Sequence, residues 1–456
     1  MTWLQDLDDP RAHDEAAYIV SEFARNRIEI DGVADEHGVA FMYAKDRLLA
    51  REEHLERIHD ILGDRGRAEP VRRVIKDIVL LEISFFAEND DRAAEGDQPA
   101  SDGGGTPEVA DSPARDNERV REGEQPALLR LLDEIDEALG PGHATLDHVL
   151  TAAQSLHPCP ATEPEEVRDS KPDPPACPGN DGAGVRIYVA DTGVFFDTVA
   201  RYTWLGGVLD YSDTDPRIAP DGTILPYGGH GTFVAGVIGC LAPGAKIIVK
   251  NVFNIAGSQL ESNFVPALQA GFDYGAGIFH LTIASPTRNN LPLIAFEAWL
   301  QDLAEHEGVV CVVAAGNCNS NQKFWPAAFP GMVSVGALSK DGLSRAGFSN
   351  YGDWVKVYAP GQDLVNAFAT GPYRCYVSPH IWEVRHFFGM ARWSGTSFST
   401  PIVTGLIASR MARQGESGVA AADALLNEAG TITIPGVGPC PVLMPSCGDG
   451  YGDEGD

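Results

Sequence analysis

The chain has 456 residues, room for one large domain with additions or for two or three domains. It is 44% hydrophobic, enough for a sizeable core, and 65 Asp+Glu against 34 Lys+Arg give a formal net charge of −31. So acidic a surface repels phosphate backbones and anionic lipid, which argues against nucleic acid and membrane as partners.

The N-terminus, MTWLQDLDDPRAHDEAAYIV, lacks a basic stretch followed by an apolar one. No secretory signal is therefore expected, and a cytoplasmic location follows as an expectation. Apolar runs stay well short of the roughly 18 residues a membrane span needs; GVVCVVAAG at 308–316 has the length of a buried strand. Eight cysteines lie at 159, 177, 240, 311, 318, 375, 440 and 447, without metal-ligand spacing. Most are expected reduced, with Cys240 and Cys311 as small core residues; Cys440 with Cys447, and Cys159 with Cys177, are near enough in sequence to bridge loops.

Residues 1–87 read as a small α+β region. REEHLERIHDILG (51–63) sets Leu55, Ile58 and Leu62 at helical spacing and stops at Gly63, while HGVAFMYAKDRLLA and VRRVIKDIVLLEISFF read as strands. Residues 88–124 carry twelve Asp/Glu, four Arg and a GGG, a composition expected of a disordered acidic linker. A helical segment is expected over 125–157, where Leu128, Leu132, Ile135 and Leu139 share a face. Seven prolines between 157 and 184 then predict an extended Pro-rich linker over 158–183. Both linkers are extended and accessible enough to be sites of proteolytic cleavage.

From 184 to 445 apolar runs alternate with helical patterns. VRIYVAD, AKIIVKNVF, GIFHLTIA, GVVCVVAAGN and MVSVGAL are short, β-branched and nearly continuous, as strands buried on both faces should be. GTFVAGVIGCLA, NFVPALQAGFDYGA and LPLIAFEAWLQDLAEHEG lie between them as helices. The alternation predicts an α/β fold with a doubly wound, mostly parallel sheet and helices on both faces. An acidic tail, 446–456, closes the chain.

Ligands of such sheets gather beyond the carboxyl ends of the strands. There fall Asp191 in VADTGV and Asn317 in AAGNCNS, while His230 opens a helix in GGHGTFVAG and Ser397 another in GTSFSTPIVTG. A serine hydroxyl needs an imidazole to take its proton, the imidazole a carboxylate to orient it, and the oxyanion preorganised N–H donors. Each residue also has an ordinary structural explanation: strand-end cap, buried histidine, turn asparagine, helix cap. DTG is also an element of aspartic proteases, but those need a second such carboxylate, and no second DTG occurs.

These four motifs, in the order Asp, His, Asn, Ser, resemble those of the subtilisin-like serine proteases, the subtilases, over about 184–445. The resemblance implies Asp191 as orienter, His230 as general base and acid, Ser397 as nucleophile, and Asn317 with the Ser397 N–H as oxyanion hole. It implies a serine endopeptidase acting on protein or peptide, with a non-catalytic peptide-binding protein or regulatory scaffold as the alternative. Thr282, Ile283 and Ala284 stand where the family usually has serine, leucine and glycine; with Ala315 and Gly316 they are the expected substrate-binding residues. Alanine in place of glycine there predicts small or unbranched residues before the scissile bond. No cofactor is needed for the chemistry and no catalytic metal is expected. Structural calcium is left open, with the acids at 210–221 as ligands or as solvated loop. The region before the peptidase domain is expected to act as an intramolecular inhibitor, as family propeptides do, or as a partner-binding module.

Overall fold

A β-branched run covered on both faces can only be satisfied inside a layered sheet, and that is where the apolar runs after residue 184 lie. The computed structural model describes residues 3–35, 38–86, 125–152, 163–168 and 170–447. The strands of the second half are β6 (Glu165–Glu166), β7 (Arg186–Asp191), β8 (Lys246–Asn251), β9 (Ser258–Leu260), β10 (Ile278–Leu281), β11 (Ile283–Ala284), β12 (Val310–Ala314), β13 (Val333–Leu338) and β14 (Val357–Pro360). β15 (Leu364–Arg374), β16 (Val384–Trp393), β17 (Gly430–Ile434) and β18 (Gly438–Val442) complete them. An eight-stranded sheet runs β17-β18-β14-β13-β12-β10-β7-β8, parallel from β18 to β8 with β17 antiparallel at the edge.

Alternate residues of these strands feed two cores. Ile187 and Val189 pack on one face, with Phe233 and Ile402 from the helices α5 (His230–Leu241) and α8 (Thr396–Gln414). Tyr188 and Ala190 face the other way, with Phe264 and Phe296 from α6 (Glu261–Tyr274) and α7 (Ile294–Glu305). The short α4 (Phe196–Val199) and the C-terminal α9 (Gly418–Glu428) complete the helices of this half. β7 has β8 on one side and β10 on the other, so the winding reverses at the strand that ends in Asp191. Among the described residues no helix is long and apolar enough to cross a membrane.

The first half forms its own layer. α1 (Pro10–Arg25), β1 (Ile30–Asp35), β2 (Gly38–Arg51), α2 (Leu55–Leu62), β3 (Gly66–Ile75) and β4 (Ile78–Phe85) are followed by α3 (Ala127–Leu139) and β5 (Ala144–Ala152). Here the expected helical segment 125–157 needs correction: α3 ends at Leu139, with Gly140 as its C-cap, and ATLDHVLTA runs on as a fully buried strand beside β2. Thr145, Val149 and Thr151 are β-branched, and two buried neighbours make a strand the better conformation. One face of the antiparallel sheet packs on α2 and α3 through Leu48, Leu62, Leu132 and Leu146. The opposite face, including Leu49, Ile78 and Leu80, joins the core of α6 and α7.

The expected linker over 158–183 is not a free connection where it is described. β6 pairs with β16, and Glu163 accepts from Tyr373 Oη (3.0 Å) and the Tyr376 N–H (2.9 Å). Cys177 is bonded to Cys447, with Cα atoms 5.3 Å apart, so neither of the loop bridges that sequence proximity left open forms. Cys440 is a buried free thiol, as are Cys240 and Cys311. The acidic linker at 88–124, and all of the tail beyond Cys447, fall outside the described residues.

Candidate active site

Three chain segments meet where the sheet winding reverses. Asp191 ends β7, His230 opens α5, and Ser397 is the second residue of α8. His230 Nδ1 stands 2.8 Å from Asp191 Oδ1 and 3.0 Å from Oδ2. Gly231 permits this approach: a Cβ there would lie 2.3 Å from the Gly193 carbonyl and 3.1 Å from Asp191 Oδ1. The imidazole packs against Phe398, the neighbour of Ser397, at 5.3 Å between ring centroids, and edge-on against Trp393 at 5.5 Å. Burial would raise the Asp191 carboxyl, but the charge and hydrogen bond of His230, with bonds from Thr282 and the Thr192 N–H, hold it below its ordinary value.

Asn317 follows β12 and is anchored by one end. Its Oδ1 accepts from the Thr396 N–H at 2.7 Å and from Thr396 Oγ1 at 3.0 Å. The same Thr396 Oγ1 accepts from the Gly316 N–H at 3.1 Å. This fixes the amide beside Ser397 and leaves Nδ2 as the available donor. Asn317 Nδ2, His230 Nε2 and Ser397 Oγ are buried polar atoms without a hydrogen-bond partner in the protein. Ser397 N–H lies in the first turn of α8, where backbone donors have no intrahelical acceptor. The site thus holds a proton acceptor, a hydroxyl and two N–H donors in one buried cluster.

The five expected substrate-binding residues divide. Ile283 and Ala284 form β11 and pair antiparallel with Ala152 and Thr151 of β5. Ala315 is buried and continues from β12, its N–H on the Val335 carbonyl. Gly316 has φ +98°, and a Cβ on it would stand 3.3 Å from Ala284 Cβ. Thr282 turns the other way: its Oγ1 donates to Asp191 Oδ2 at 2.7 Å, so its side chain touches the Asp191–His230 pair.

The acids at 210–221 do not assemble as a calcium cage. Asp213 pairs with Lys250 at 2.5 Å, Asp215 with Arg217 at 3.1 Å, and Asp221 accepts from the Thr223 N–H at 3.0 Å. Among the described residues no group of three or more His, Cys, Asp or Glu could hold a metal. Sequence reasoning missed three features: the contact of Thr282 with Asp191, the pairing of β5 with β9 and β11, and the Asp215–Arg217 pair. Only β5 had a signal, its β-branched alternation after the Gly-Pro-Gly break at 140–142.

Residues 182–437 match the model of the Subtilase family, more than half of the chain. The chain belongs to the subtilase family. Relatives within it include a subtilisin-like protease 1 of Trichophyton rubrum, 30% identical over 273 residues that make up 57% of this chain and 47% of that protein. A thermophilic serine proteinase of Bacillus sp. (strain AK1) is 30% identical over 268 residues, 56% of this chain and 58% of its own length. The chain thus spans about half the length of these curated relatives. In fold it is similar to fervidolysin from Fervidobacterium pennivorans, a keratinolytic enzyme related to subtilisin, with TM-score 0.53 and 18% identity. That likeness covers 91% of this chain and 61% of fervidolysin, so it extends to the N-terminal layer of this subtilase.

Proposed function

We propose that this subtilase is a serine endopeptidase whose N-terminal layer lies in its own cleft. The observation that carries the catalytic reading is the buried Asp191–His230 pair beside Ser397, with Asn317 Nδ2 uncommitted. In acylation Ser397 Oγ bonds to the substrate carbonyl carbon while His230 Nε2 takes the hydroxyl proton. The oxyanion receives the Asn317 amide and the Ser397 N–H. Collapse of the adduct breaks the C–N bond, and His230 returns the proton to the leaving amine. Water then repeats the sequence on the ester and frees Ser397. Asp191, held ionised, orients the ring and offsets its cation. Protein groups alone supply this chemistry.

The inhibitor reading rests on backbone pairing. β5 runs antiparallel to β9 on one side, with Val149, Leu150 and Thr151 against Leu260, Gln259 and Ser258. The Ala152 N–H extends that ladder by donating to the Gly257 carbonyl at 2.8 Å, and on the other side β5 pairs with β11. An extended peptide substrate would use the same two edges, so β5 competes with it by strand addition. Ion pairs across the layers, Arg51–Glu297 at 2.7 Å, Lys76–Asp302 at 2.8 Å and Arg288–Asp136 at 2.7 Å, set the register. The closeness of Ala284 to Gly316 supports small or unbranched side chains before the scissile bond. The Cys177–Cys447 bond favours an oxidising compartment over the cytoplasmic location expected from the N-terminus.

The full chain should hydrolyse an unfolded protein and generate a new N-terminus in the stretch after Ala152, both abolished in S397A. Equal hydrolysis by wild type and S397A would refute the peptidase reading. Hydrolysis without any cut in the chain would refute self-processing. Peptide binding with no turnover in wild type would favour the non-catalytic alternative.

A further inference from the structure

Arg217 is among the largest fully buried side chains of the described molecule, and its partner Asp215 is buried with it. Arginine and aspartate are almost never wholly buried unless paired, so their position invites a functional account. Asp215 Oδ1 accepts from Arg217 Nη1 at 3.1 Å and from the Arg217 N–H at 3.0 Å. Its Oδ2 accepts from the Gly229 N–H at 2.9 Å, immediately before His230, and from Thr192 Oγ1 at 3.1 Å, immediately after Asp191. Thr192 Oγ1 in turn accepts from the Gly231 N–H at 2.9 Å, immediately after His230. The carboxylate therefore holds the neighbours of both members of the catalytic pair.

The guanidinium reaches the opposite way. Arg217 Nη1 donates to the Thr192 carbonyl at 3.1 Å and to Asn251 Oδ1 at 3.2 Å; Nη2 donates to the carbonyls of Phe253 (3.1 Å) and Asn254 (2.5 Å). Asn254 organises the turn into the cleft strand: its Oδ1 accepts from the N–H groups of Ala256 (2.9 Å) and Ser258 (3.1 Å), and its carbonyl from the Gly257 N–H (3.0 Å). Gly257 and β9 are the edge that the backbone of β5 pairs with.

We propose that the Asp215–Arg217 pair is a positioning device that links occupancy of the β9 edge to the alignment of Asp191 and His230. The proposal rests on the peptidase reading above. A planar guanidinium with donors on both sides suits this link, because it can hold the turn at 253–254 and the carboxylate at once, which a lysine ammonium cannot do in the same fixed geometry. A peptide long enough to pair with β9 tightens the turn, and the pair transmits that restraint to the residues flanking the imidazole. The effect should then fall on kcat, since a misplacement of the reacting groups acts on the transition state rather than on ground-state contacts.

The test uses the full chain as expressed, with active sites counted by fluorophosphonate titration. Two chromogenic peptides share their leaving group and the residue before it; one ends at the second residue before the scissile bond and one extends to the fourth. Wild type should show a higher kcat on the extended peptide. R217K, and the charge-free pair D215A/R217M, which leaves no uncompensated buried charge, should lose at least tenfold of the extended-to-short kcat ratio. An unchanged ratio in titratable variants, or a gain with length that lies only in KM, would overturn the coupling. Wild type that titrates but shows no length effect on kcat would also overturn it while leaving the peptidase reading intact. A wild-type chain that the fluorophosphonate never labels would overturn both.

Discussion

At the scale of single residues, the site is organised by side chains that each bridge two segments. Thr396 is one: it anchors Asn317 Oδ1 and thereby leaves Nδ2 as the uncommitted donor of that amide. N317A should lower kcat by about 10²–10³-fold with KM little changed, the size found when an oxyanion donor is removed from subtilisin itself; kinetics on a short peptide would check it. Thr282 is another, its hydroxyl 2.7 Å from Asp191 Oδ2. T282V removes a donor from a buried carboxylate, which should weaken the hold on the His230 tautomer and reduce kcat/KM roughly tenfold, the equivalent of ~1.4 kcal/mol. T282S keeps the donor and should retain most of the activity; equal losses in the two variants would assign Thr282 to packing alone. Asp191, His230, Asn317 and Ser397 were legible in the sequence because each sits in a short contiguous motif. The hydrogen bond of Thr282 to Asp191, the Asp215–Arg217 pair and the Cys177–Cys447 bond were not. Their partners are remote in sequence or, for Arg217, of a residue type that sequence reasoning places at the surface.

Among the elements, β5 carries the proposed inhibition, since it pairs with both β9 and β11. Three buried titratable groups meet where it docks. Burial pushes the Asp147 carboxyl up to about 6, against hydrogen bonds from the Ser262 N–H and Oγ and weaker attraction to Arg47 and Arg72. Glu261 is raised well above its ordinary value by burial and by the charge of Asp147, although it caps α7 through the Ala295 and Phe296 N–H groups. His148 is held down to about 3 by burial, with Arg288 adding to the effect. Raised carboxyls favour the docked strand at low pH: the Asp147 contribution is complete below its ordinary 3.8 and is lost as pH rises through about 6. The depressed imidazole does the reverse, its contribution complete above 6.5 and lost as pH falls toward 3. Between pH 4 and pH 6 the two contributions therefore oppose each other. In the S397A background, D147N removes the falling one, so hydrogen-exchange protection of β5, corrected for intrinsic rates, should rise more (or fall less) from pH 4 to pH 6 than in S397A alone. An identical or more steeply falling profile in D147N would contradict the assignment. The strand itself was read as part of a helical segment because local pattern cannot reveal two flanking edges, β9 and β11, that come from more than a hundred residues downstream.

For the whole molecule, the doubly wound sheet was legible because a parallel core writes itself into sequence as continuous β-branched runs. How the N-terminal layer meets it was not, since that docking depends on the faces of α6 and α7 and on ion pairs such as Arg51–Glu297. The chain is also tied at long range: the Cys177–Cys447 bond closes a sequence separation of 270 residues around the part that matches the subtilase family. C447S should lower unfolding stability by ~2–5 kcal/mol, and reductant should lower wild type by a like amount while leaving C447S unchanged. Denaturant titration with and without reductant would check this, and a reductant effect that persists in C447S would place the bond elsewhere. The central claim remains that Ser397 is a nucleophile activated by His230 within this fold. Fluorophosphonate labelling, read by mass spectrometry of the modified peptide, tests it most directly. Labelling should be confined to Ser397 and vanish in H230A. Label on another residue, or on Ser397 at the same rate without His230, would contradict it.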